Sequence, residues 1–388
     1  MTSSADPRHA FLATLRRWQR GSISRRHFLG QTGLGAAVAS LAAAMPELAI
    51  PRRARAATLG TSVRLATWAN YHDPKNFEAF AAQTGVAVES EIFTSDDEMY
   101  AHLRSGKTGW DVIEAGDCRI EAYVTAGLLQ PLQIALVPAY QPQHYVDLRY
   151  AKPGVYSGRV YGMQKNWGTS GFCIDTGAVK DPVTGWKDFW NLARGKLTRR
   201  VTVDAEPLAL VGSALKFYGH SFNSNDEKEL AEAELLLLDV KAHLLGVTDN
   251  PQPALRSGEA LAAMTGTGDA KQLHKDIPSI AYVIGREGGQ IWGDYYATPR
   301  NAPHRTAAHA LIDFLLTPVH NRDEVLAHGY AVADERVLSL LPPEILADPI
   351  MFPAPGLLQP LEFAAAASLT NPRRAQVMAR FLAAGGGR

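Results

Sequence analysis

Residues 62–92 read SVRLATWANYHDPKNFEAFAAQTGVAVESEI, and this stretch decides the fold. Its first seven residues place apolar side chains at alternate positions, which predicts a β-strand. Phe77 and Phe80 then have the spacing of one helix face, so residues 74–82 are predicted to form a helix. Residues 86–92 return to a strand pattern. The segment therefore predicts a strand–helix–strand unit, the building block of a parallel sheet with helices packed on it.

The same alternation continues along the chain. The motif Ser95-Asp96-Asp97-Glu98 has the spacing of a capping box and predicts the start of a helix that ends at Gly106. Further predicted elements are a strand over residues 110–113 and helices over residues 120–126, 226–245, 306–316 and 318–328. This order predicts an α/β fold with a mainly parallel sheet and helices on both faces.

Length and composition exclude several classes of protein. The chain has 388 residues, of which 46% are hydrophobic and 20% charged, so it can bury the core of one large domain or two smaller ones. This composition excludes intrinsic disorder and a collagen-like repeat. Two cysteines, Cys118 and Cys173, are too few for a disulfide scaffold. They form either one disulfide or two buried thiols, and the sequence leaves both alternatives open.

The first 56 residues have the features of an export signal. They hold nine arginines, no lysine and two acidic residues. Ser24-Arg25-Arg26-His27-Phe28-Leu29 is a twin-arginine signature, and it precedes an apolar stretch over residues 30–44 and the cleavage pattern Ala54-Arg55-Ala56. These features predict a signal peptide of the twin-arginine pathway and a periplasmic location, with an uncleaved anchor as the alternative. The rest of the chain has 30 basic and 37 acidic residues, which argues against a nucleic-acid partner.

Motifs for catalysis, metals and cofactors are missing. The sequence has no nucleophile elbow, no His-Glu-x-x-His and no complete phosphate loop, so neither a metal nor a cofactor is expected. Thr265-Gly266-Thr267-Gly268-Asp269 is either a loop over a ligand or a plain turn. Tyr295-Tyr296 is a candidate iron-binding pair, but alternation along a strand directs the two rings to opposite faces.

Aromatic and acidic side chains instead gather at the ends of predicted elements. In open α/β sheets, ligands bind beyond the carboxyl ends of the strands. Aromatic faces and carboxylates at such ends suit an alkyl-ammonium ligand, through cation–π contacts and charge-assisted hydrogen bonds. Each residue also has a structural alternative, namely core packing for the aromatics and a turn or helix cap for an acid such as Asp204. The candidates are Trp68, Tyr71, Asp204, Glu206, Trp292, Asp294 and Tyr330.

From about residue 63 to residue 344 the chain resembles the spermidine/putrescine-binding proteins of bacterial ABC importers. The block Glu-Gly-Gly-x-x-Trp-x-Asp over residues 287–294 and the order of all the matching pieces carry the resemblance. The other pieces are Trp68 to Tyr71, residues 77–86, Met99-Tyr100-Ala101, Trp110-Asp111-Val112, Asn166-Trp167-Gly168-Thr169, residues 186–190, Asp313-Phe314-Leu315-Leu316 and Gly329-Tyr330.

The resemblance implies a two-lobed periplasmic-binding-protein fold of type II, with two α/β lobes and a ligand cleft at the hinge. Carried over by position, one lobe comprises residues 58–167 and 295–334. The other lobe comprises residues 168–294 and 335–388.

The resemblance also assigns residues to the cleft. Trp68 and Tyr71 match aromatics that sandwich the polyamine chain, Trp292 and Asp294 match a packing Trp and an amine-binding Asp, and Tyr330 matches a cleft tyrosine. Asp204 and Glu206 fall near a pair of family carboxylates.

The chain departs from the family pattern at two places in the cleft. Gly116-Asp117-Cys118-Arg119 replaces a strand end with Ser and tyrosines, and Thr265 replaces a ligand-covering Trp. Asp117 and Thr265 are therefore expected to line the cleft as altered positions, while Arg119 brings a positive charge close to it.

The function implied by the resemblance is that of a monomeric extracytoplasmic solute-binding protein. It captures a polyamine or related small amine between two lobes and presents it to a membrane permease. The alternatives are a binder of another small solute, such as an amino-acid derivative, an anion or ferric iron, and a secreted enzyme. In that enzyme Asp204, Glu206 or Asp294 would act as general acid or base.

Overall fold

A computed structural model describes residues 59–385, so the predicted export signal lies outside the described residues. The α-helices are α1 (Pro74–Thr84), α2 (Asp96–Ser105), α3 (Asp117–Thr125), α4 (Trp186–Ala193), α5 (Pro207–Tyr218), α6 (Glu227–Lys241), α7 (Gln252–Arg256), α8 (Thr267–Asp276), α9 (Arg305–Leu316), α10 (Pro318–His328), α11 (Glu335–Leu338), α12 (Pro343–Leu346), α13 (Pro355–Leu358), α14 (Ala366–Leu369) and α15 (Pro372–Ala383). The strands are β1 (Ser62–Thr67), β2 (Ala87–Ile92), β3 (Val112–Gly116), β4 (Leu129–Gln130), β5 (Val155–Tyr156), β6 (Arg159–Val160), β7 (Gly162–Asp175), β8 (Val201–Val203), β9 (Gly246–Val247), β10 (Ala262–Gly266), β11 (Ile280–Val283), β12 (Gly289–Pro299) and β13 (Leu361–Glu362). Single 3₁₀ turns occupy Ile134–Leu136, Pro142–His144, Leu148–Tyr150 and Lys152–Gly154.

Eleven of the described strands form one sheet, with the order β2-β1-β3-β12-β7-β10-β8-β9 along its main path. β1 runs parallel to β2 and β3, and β8 runs parallel to β9 and β10, as the alternating pattern predicts. β7 and β12 run antiparallel to each other, β7 also runs antiparallel to β10 and β11, and β12 runs antiparallel to β3 and β4 but parallel to β13. The sheet is therefore mixed, and the prediction of a mainly parallel sheet was wrong. β7 reads GMQKNWGTSGFCID and is buried along nearly all of its length, so its sequence lacks the two-residue alternation of a half-exposed strand.

Helices cover the sheet in two separate places. One hydrophobic core packs α1 and α9 against β1 through residues such as Val63, Phe80 and Leu311. Another packs α4, α5, α6 and α15 against β7, β8 and β10 through residues such as Trp190 and Phe381. β7 contributes to both cores, through Met163 to the first and Phe172 to the second, and β12 pairs with it antiparallel between them. On its other side β12 pairs with β3, so its residues in this region have a paired strand on each side.

The predicted capping box is confirmed. Ser95 accepts a hydrogen bond from the Glu98 amide at 3.1 Å, and Glu98 accepts one from the Thr94 amide at 2.8 Å. The helix ends at Gly106, whose φ of 67° lies in the left-handed region that glycine adopts without strain. The predicted break before Pro318 is also observed, between α9 and α10.

The long helix predicted over residues 226–245 is shorter in the structure. α6 ends at Lys241, because the Leu245 amide donates to the Val201 carbonyl oxygen at 2.8 Å as the chain enters β9. This strand pairing competes with another helical turn. Within residues 59–385 no helix has the length and apolar character needed to cross a bilayer.

The structure chooses between alternatives for two pairs of residues. Cys118 and Cys173 are both buried and unpaired, so they are thiols here. Tyr295 and Tyr296 pack into different hydrophobic clusters, as strand alternation predicts. The Tyr295 hydroxyl donates to the Tyr150 carbonyl oxygen at 2.6 Å, which assigns this ring a structural contact.

Candidate functional site

Tyr71 lies at the centre of the candidate site. Asn70, with a φ of 57°, makes a left-handed turn after β1, a conformation that Asn tolerates better than most residues, and Tyr71 follows it into the interior. The Tyr71 hydroxyl donates to Asp294 Oδ2 and accepts from Asn166 Nδ2 at 2.8 Å. Lys165 Nζ lies 3.8 Å from the centre of the ring and donates to the Tyr71 carbonyl oxygen at 2.6 Å. These contacts fix both the ring and its hydroxyl.

Asp294 belongs to β12 and lies where this strand has β3 on one side and β7 on the other. It pairs with Gly116 of β3 and Asn166 of β7, and the pairing with β7 shifts register immediately after it. Burial, with help from the Glu114 charge, raises the pKa of Asp294 to about 7, although the Tyr71 hydroxyl and the Lys165 charge act in the opposite direction. Within residues 59–385 no Lys, Arg or His forms an ion pair with Asp294 within 4.0 Å. A cation supplied by a ligand would therefore stabilise the ionised form of this carboxyl group.

Three aromatic rings in mutual contact begin at Tyr71, whose hydroxyl donates to this carboxyl group. The Tyr330 ring lies 5.6 Å from Tyr71 and 5.3 Å from Trp292 between ring centres, both in edge-to-face geometry. The imidazole of His328 lies 5.6 Å from both tyrosine rings. Burial pushes the pKa of His328 well below its ordinary value, so the ring is neutral and adds no positive charge. An environment of π faces around one acid stabilises a ligand cation.

Two glycines make room for these rings. A Cβ on Gly168 would lie 2.3 Å from Trp292 Cζ2, and a Cβ on Gly268 would lie 2.3 Å from the Tyr330 hydroxyl oxygen. Gly268 belongs to the glycine-rich stretch 265–269, which forms the end of β10 and the start of α8. This stretch therefore touches a candidate site residue, and the need for close approach explains why glycine stands there.

Gly268→Ala is expected to displace Tyr330 while the protein still folds. The new methyl group would occupy the position of the Tyr330 hydroxyl, but the end of a side chain can move, and alanine favours helix. We expect the affinity for an amine ligand to fall by about threefold to tenfold, from the loss of part of a cation–π contact. Calorimetric titration checks this, with Gly356→Ala as control because a Cβ there meets nothing within 4 Å. Equal affinity of the two variants would contradict the role of Tyr330.

A buried cluster of charged side chains lies next to Tyr71. It consists of His72, Glu114, Lys165 and Glu324. Glu114 Oε1 lies 2.7 Å from Lys165 Nζ and 2.6 Å from His72 Nε2, and His72 Nδ1 lies 2.6 Å from Glu324 Oε2. Thr67 Oγ1 donates to the second Glu114 oxygen at 2.5 Å. These contacts connect β1, β3, β7 and α10 close to Tyr71.

The protonation states of the cluster follow from these contacts. Burial opposes the charge of Glu114, but Lys165 and His72 outweigh it and hold the pKa of Glu114 at about 2. Burial and Lys165 oppose the charge of His72, but Glu114 and Glu324 outweigh them and raise the pKa of His72 above its ordinary value. The positive charges of Lys165 and His72 therefore stabilise ionised Glu114, and the two carboxylates in turn favour the protonated form of His72.

Three other candidate residues, Trp68, Asp117 and Thr265, form neither a hydrogen bond nor a ring contact with Tyr71 or Asp294 within the described chain. Trp68 is half-buried and packs edge-on against Phe93, with ring centres 4.0 Å apart. Asp117 is buried at the start of α3, where its Oδ2 accepts from the Ala364 amide at 3.0 Å. Burial and the Asp294 charge raise the pKa of Asp117 well above its ordinary value. Thr265 is buried at the end of β10.

The two acids after β8 have the contacts of a turn and a cap. Asp204 Oδ1 accepts from the Glu206 amide at 2.9 Å, and Glu206 is the N-cap of α5, accepting from the Ala209 amide at 2.7 Å. Burial raises the pKa of Asp204 to about 6 and that of Glu206 to about 7. The structure therefore links Tyr71, Trp292, Asp294 and Tyr330 through a hydrogen bond and ring contacts. The hydrogen bonds of Asp204 and Glu206 are instead made to backbone amides at the start of α5.

Sequence reasoning missed Asn166, His328 and the charged cluster as parts of the site. A usable signal was present, since Glu114 and Lys165 occur inside strands that are otherwise buried. A charge in such a strand needs a partner, so two opposite charges in two buried strands indicate a pair. No comparable signal marks His328, the last residue of α10, whose neighbours depend on how that helix packs.

The sequence profile of the family described as "Bacterial extracellular solute-binding protein" matches residues 75–353. The chain belongs to this family. As a bacterial extracellular solute-binding protein it works outside the cytoplasm and binds a solute rather than catalysing a reaction. The prediction of an extracytoplasmic binding protein that is not an enzyme is thereby confirmed.

Curated relatives of this solute-binding protein span most of its length. Spermidine/putrescine-binding periplasmic protein 1 of Haemophilus influenzae is 25% identical over 307 residues, which are 78% of this chain and 84% of the relative. The putrescine/agmatine-binding protein of Pseudomonas aeruginosa is 26% identical over 313 residues, with coverage of 75% and 83%.

Solved structures confirm the fold prediction. The spermidine/putrescine ABC transporter substrate-binding protein of Streptococcus pneumoniae has a TM-score of 0.74 at 22% identity, covering 84% of this chain and 99% of that one. An A. tumefaciens binding protein in complex with agropinic acid has a TM-score of 0.63 at 20% identity, with coverage of 84% and 98%. The solute-binding protein thus has two α/β lobes in the type II arrangement.

Proposed function

We propose that this protein is the solute-binding component of an ABC importer and carries a small amine of the polyamine class. The arrangement of Tyr71, Trp292, Asp294 and Tyr330 carries the proposal. Asp294 is an acid without an ion-pair partner in the described part of the chain, and it contacts Tyr71, the first of three aromatic rings in mutual contact. An ammonium group in this position would receive a charge-assisted hydrogen bond from Asp294 and cation–π attraction from the rings.

The relatives point to the same ligand chemistry. Those described above are named for spermidine, putrescine and agmatine, which are all aliphatic cations. Trp68, Asp117, Asp204, Glu206 and Thr265 remain proposed members of the cleft. Their contacts described above are compatible with a role at its margin.

The proposed transport cycle follows from the two lobes. We place their limits at residues 58–167 with 295–334 and at residues 168–294 with 335–388. The limits after residue 167 and before residue 295 are supported by the pairing of β7 with β12, in which Trp167 lies opposite Gly293. In this proposal the monomeric protein is exported by the twin-arginine pathway, closes its lobes on the amine and is recognised in that form by a membrane permease.

The affinity for an amine is expected to rise with pH until Asp294 is fully ionised. Amines such as putrescine stay protonated to about pH 9, whereas the empty site holds Asp294 with a pKa of about 7. Because the cation binds the ionised carboxylate, the association constant should increase by up to about tenfold per pH unit below pH 7 and level off above it. Calorimetric titration of putrescine between pH 5 and about pH 9 measures this.

Asp294→Asn provides the control for this titration, since it removes this titrating carboxyl group and should reduce the rise in affinity with pH. Spermidine and agmatine are tested alongside putrescine. If none of the three amines binds the purified protein at any pH, the proposed function is wrong.

A further inference from the structure

An open groove of about 460 Å³ on the surface has no role in the function described so far. Its walls come from the segment around β4, from the hairpin of β5 and β6, and from the segment between β12 and α9. Arg159 begins β6, Arg300 follows β12 and Arg305 begins α9, and all three line the groove. None of the described residues that line it is acidic. We call it the arginine groove.

The three arginines of the groove have no acidic partner. Within residues 59–385 most arginines pair with an acid, as Arg336 does with Asp334 at 2.5 Å, but none of these three does. Their side chains form a single hydrogen bond to the described chain, from Arg305 Nη2 to the Arg300 carbonyl oxygen at 3.1 Å. Three positive charges that line one groove without a counter-charge attract an anion.

The sign of this groove differs from that of the rest of the protein. Outside the export signal the chain has 30 basic and 37 acidic residues, so an excess of positive charge is not a general property of its surface. All three side chains are exposed and therefore accessible to a partner. Solubility would be served equally well by arginines that are spread over the surface, so their collection in one concave place indicates a specific anion.

Backbone hydrogen bonds fix the walls of the groove. β4 pairs antiparallel with the end of β12. The Arg300 amide donates to the Leu128 carbonyl oxygen at 2.7 Å, and the Leu132 amide donates to the carbonyl oxygen of Val160, next to Arg159, at 2.8 Å. The three arginines are thus attached to backbone segments that are bonded to the rest of the fold. An anion can bind them without first ordering a loop, which keeps the cost of binding low.

The groove is separate from the amine site. Asp294 and Pro299 both belong to β12 and lie five residues apart, which is about 17 Å along an extended strand. The residues that line the groove also fall within a single proposed lobe, at residues 58–167 with 295–334. Closure of the lobes on an amine therefore leaves the walls of the groove together.

A terminal phosphate group matches three guanidinium groups better than a carboxylate does. Arginine binds both kinds of anion through two parallel hydrogen bonds. A terminal phosphate has about 1.5 to 2 negative charges at neutral pH and three strong acceptor oxygens, whereas a carboxylate has one charge and two oxygens. The phosphate can therefore bind several arginines at once.

We propose that the arginine groove binds a terminal phosphate group, which either a soluble phosphate compound or a lipid headgroup supplies. This site goes beyond the capture of an amine and does not depend on it. Because the arginines are exposed, each ion pair is weak and screened by salt, so binding requires the three together and weakens as the ionic strength rises.

The test uses the purified full-length protein and two probes. Inorganic pyrophosphate is titrated in a calorimeter, and co-sedimentation is measured with vesicles of phosphatidylcholine that either contain or lack phosphatidic acid. The groove variant combines Arg300→Gln with Arg305→Gln and so removes two of the three charges. We expect it to bind the phosphate group about tenfold more weakly than the wild type.

The matched control is the double variant Arg194→Gln with Arg286→Gln. It also removes two exposed arginines, but these pair with acids and do not line the groove. Both double variants keep the nine arginines of the export signal, so any phosphate bound there contributes equally to both. Equal midpoints of thermal unfolding establish that both are folded.

The outcomes identify the source of the phosphate. Weaker binding of pyrophosphate by the groove variant than by the control supports the inference with a soluble source. A loss of binding that is confined to vesicles with phosphatidic acid supports it with a lipid source. If the two double variants behave alike with both probes, the inference is wrong, and the proposed function is unaffected.

Discussion

Asp294→Asn is expected to weaken the binding of an amine by about 1.5–3 kcal/mol, which is a factor of about 10–150. The amide keeps the shape of the side chain and can still accept from the Tyr71 hydroxyl, but it carries no charge to pair with an ammonium group. Calorimetric titration above pH 8, where the wild-type carboxyl is ionised, measures the full difference. Asp181→Asn is the matched control, because Asp181 pairs with Lys196 at the surface.

The same substitution is expected to stabilise the empty protein at alkaline pH. The pKa of Asp294 is about 7 in the folded protein and about 4 in the unfolded chain, so the protonated form favours folding. Its favourable contribution is complete below about pH 4 and is lost as the pH rises through 7. At pH 8 the asparagine variant should therefore be more stable than the wild type by about 1–3 kcal/mol. Denaturant unfolding at pH 5 and pH 8 checks this, and a variant that is less stable at both values would contradict the assignment.

Lys165→Met is expected to reduce the free energy of unfolding by about 3–5 kcal/mol. Lys165 lies 2.7 Å from Glu114, which is fully buried, and it also donates to the Tyr71 carbonyl oxygen. Its removal leaves two buried carboxylates with a single imidazolium and removes a donor from the residue at the centre of the site. Denaturant unfolding at pH 7 measures the loss, and a loss below about 1 kcal/mol would show that the cluster does not support the fold.

A double variant separates charge from packing. Glu114→Gln together with Lys165→Met removes both members of the pair, so it should lose less stability than the sum of the two single variants. The dependence on pH gives a second check. Because the pKa of Glu114 is held at about 2, its contribution is present above about pH 4.5 and is lost as the pH falls towards 2. The double variant should lack this acid-dependent loss.

Much of the fold was predictable because local patterns agree with the tertiary structure. The capping box at Ser95, the helix break before Pro318 and the parallel pairing of β1 with β2 all follow from short-range sequence rules. β7 and β12 were not recognised as two long paired strands. Strands that are buried on both faces lose the alternation that marks a half-exposed strand. These two strands make the sheet mixed.

The candidate site was predictable only in part. Tyr71, Asp294, Trp292 and Tyr330 were named from their positions at the ends of elements, and the structure brings them into contact. Asn166 was missed because its role depends on Tyr71, which lies 95 positions away in the sequence, and His328 because its role depends on how the end of α10 packs. Periodicity contains no information about such contacts.

Local order along the chain was enough to determine the alternating elements, the chemical types of side chain at their ends and the absence of catalytic motifs. The tertiary structure decided which of those side chains share one environment. Only the pairing of β7 with β12 brings Asp294 next to Asn166, and only the tertiary structure brings Tyr71 into contact with both of them. The physical reason is that propensity and capping act within a few residues, whereas burial, ion pairing and the resulting pKa values depend on which distant segments the core brings together.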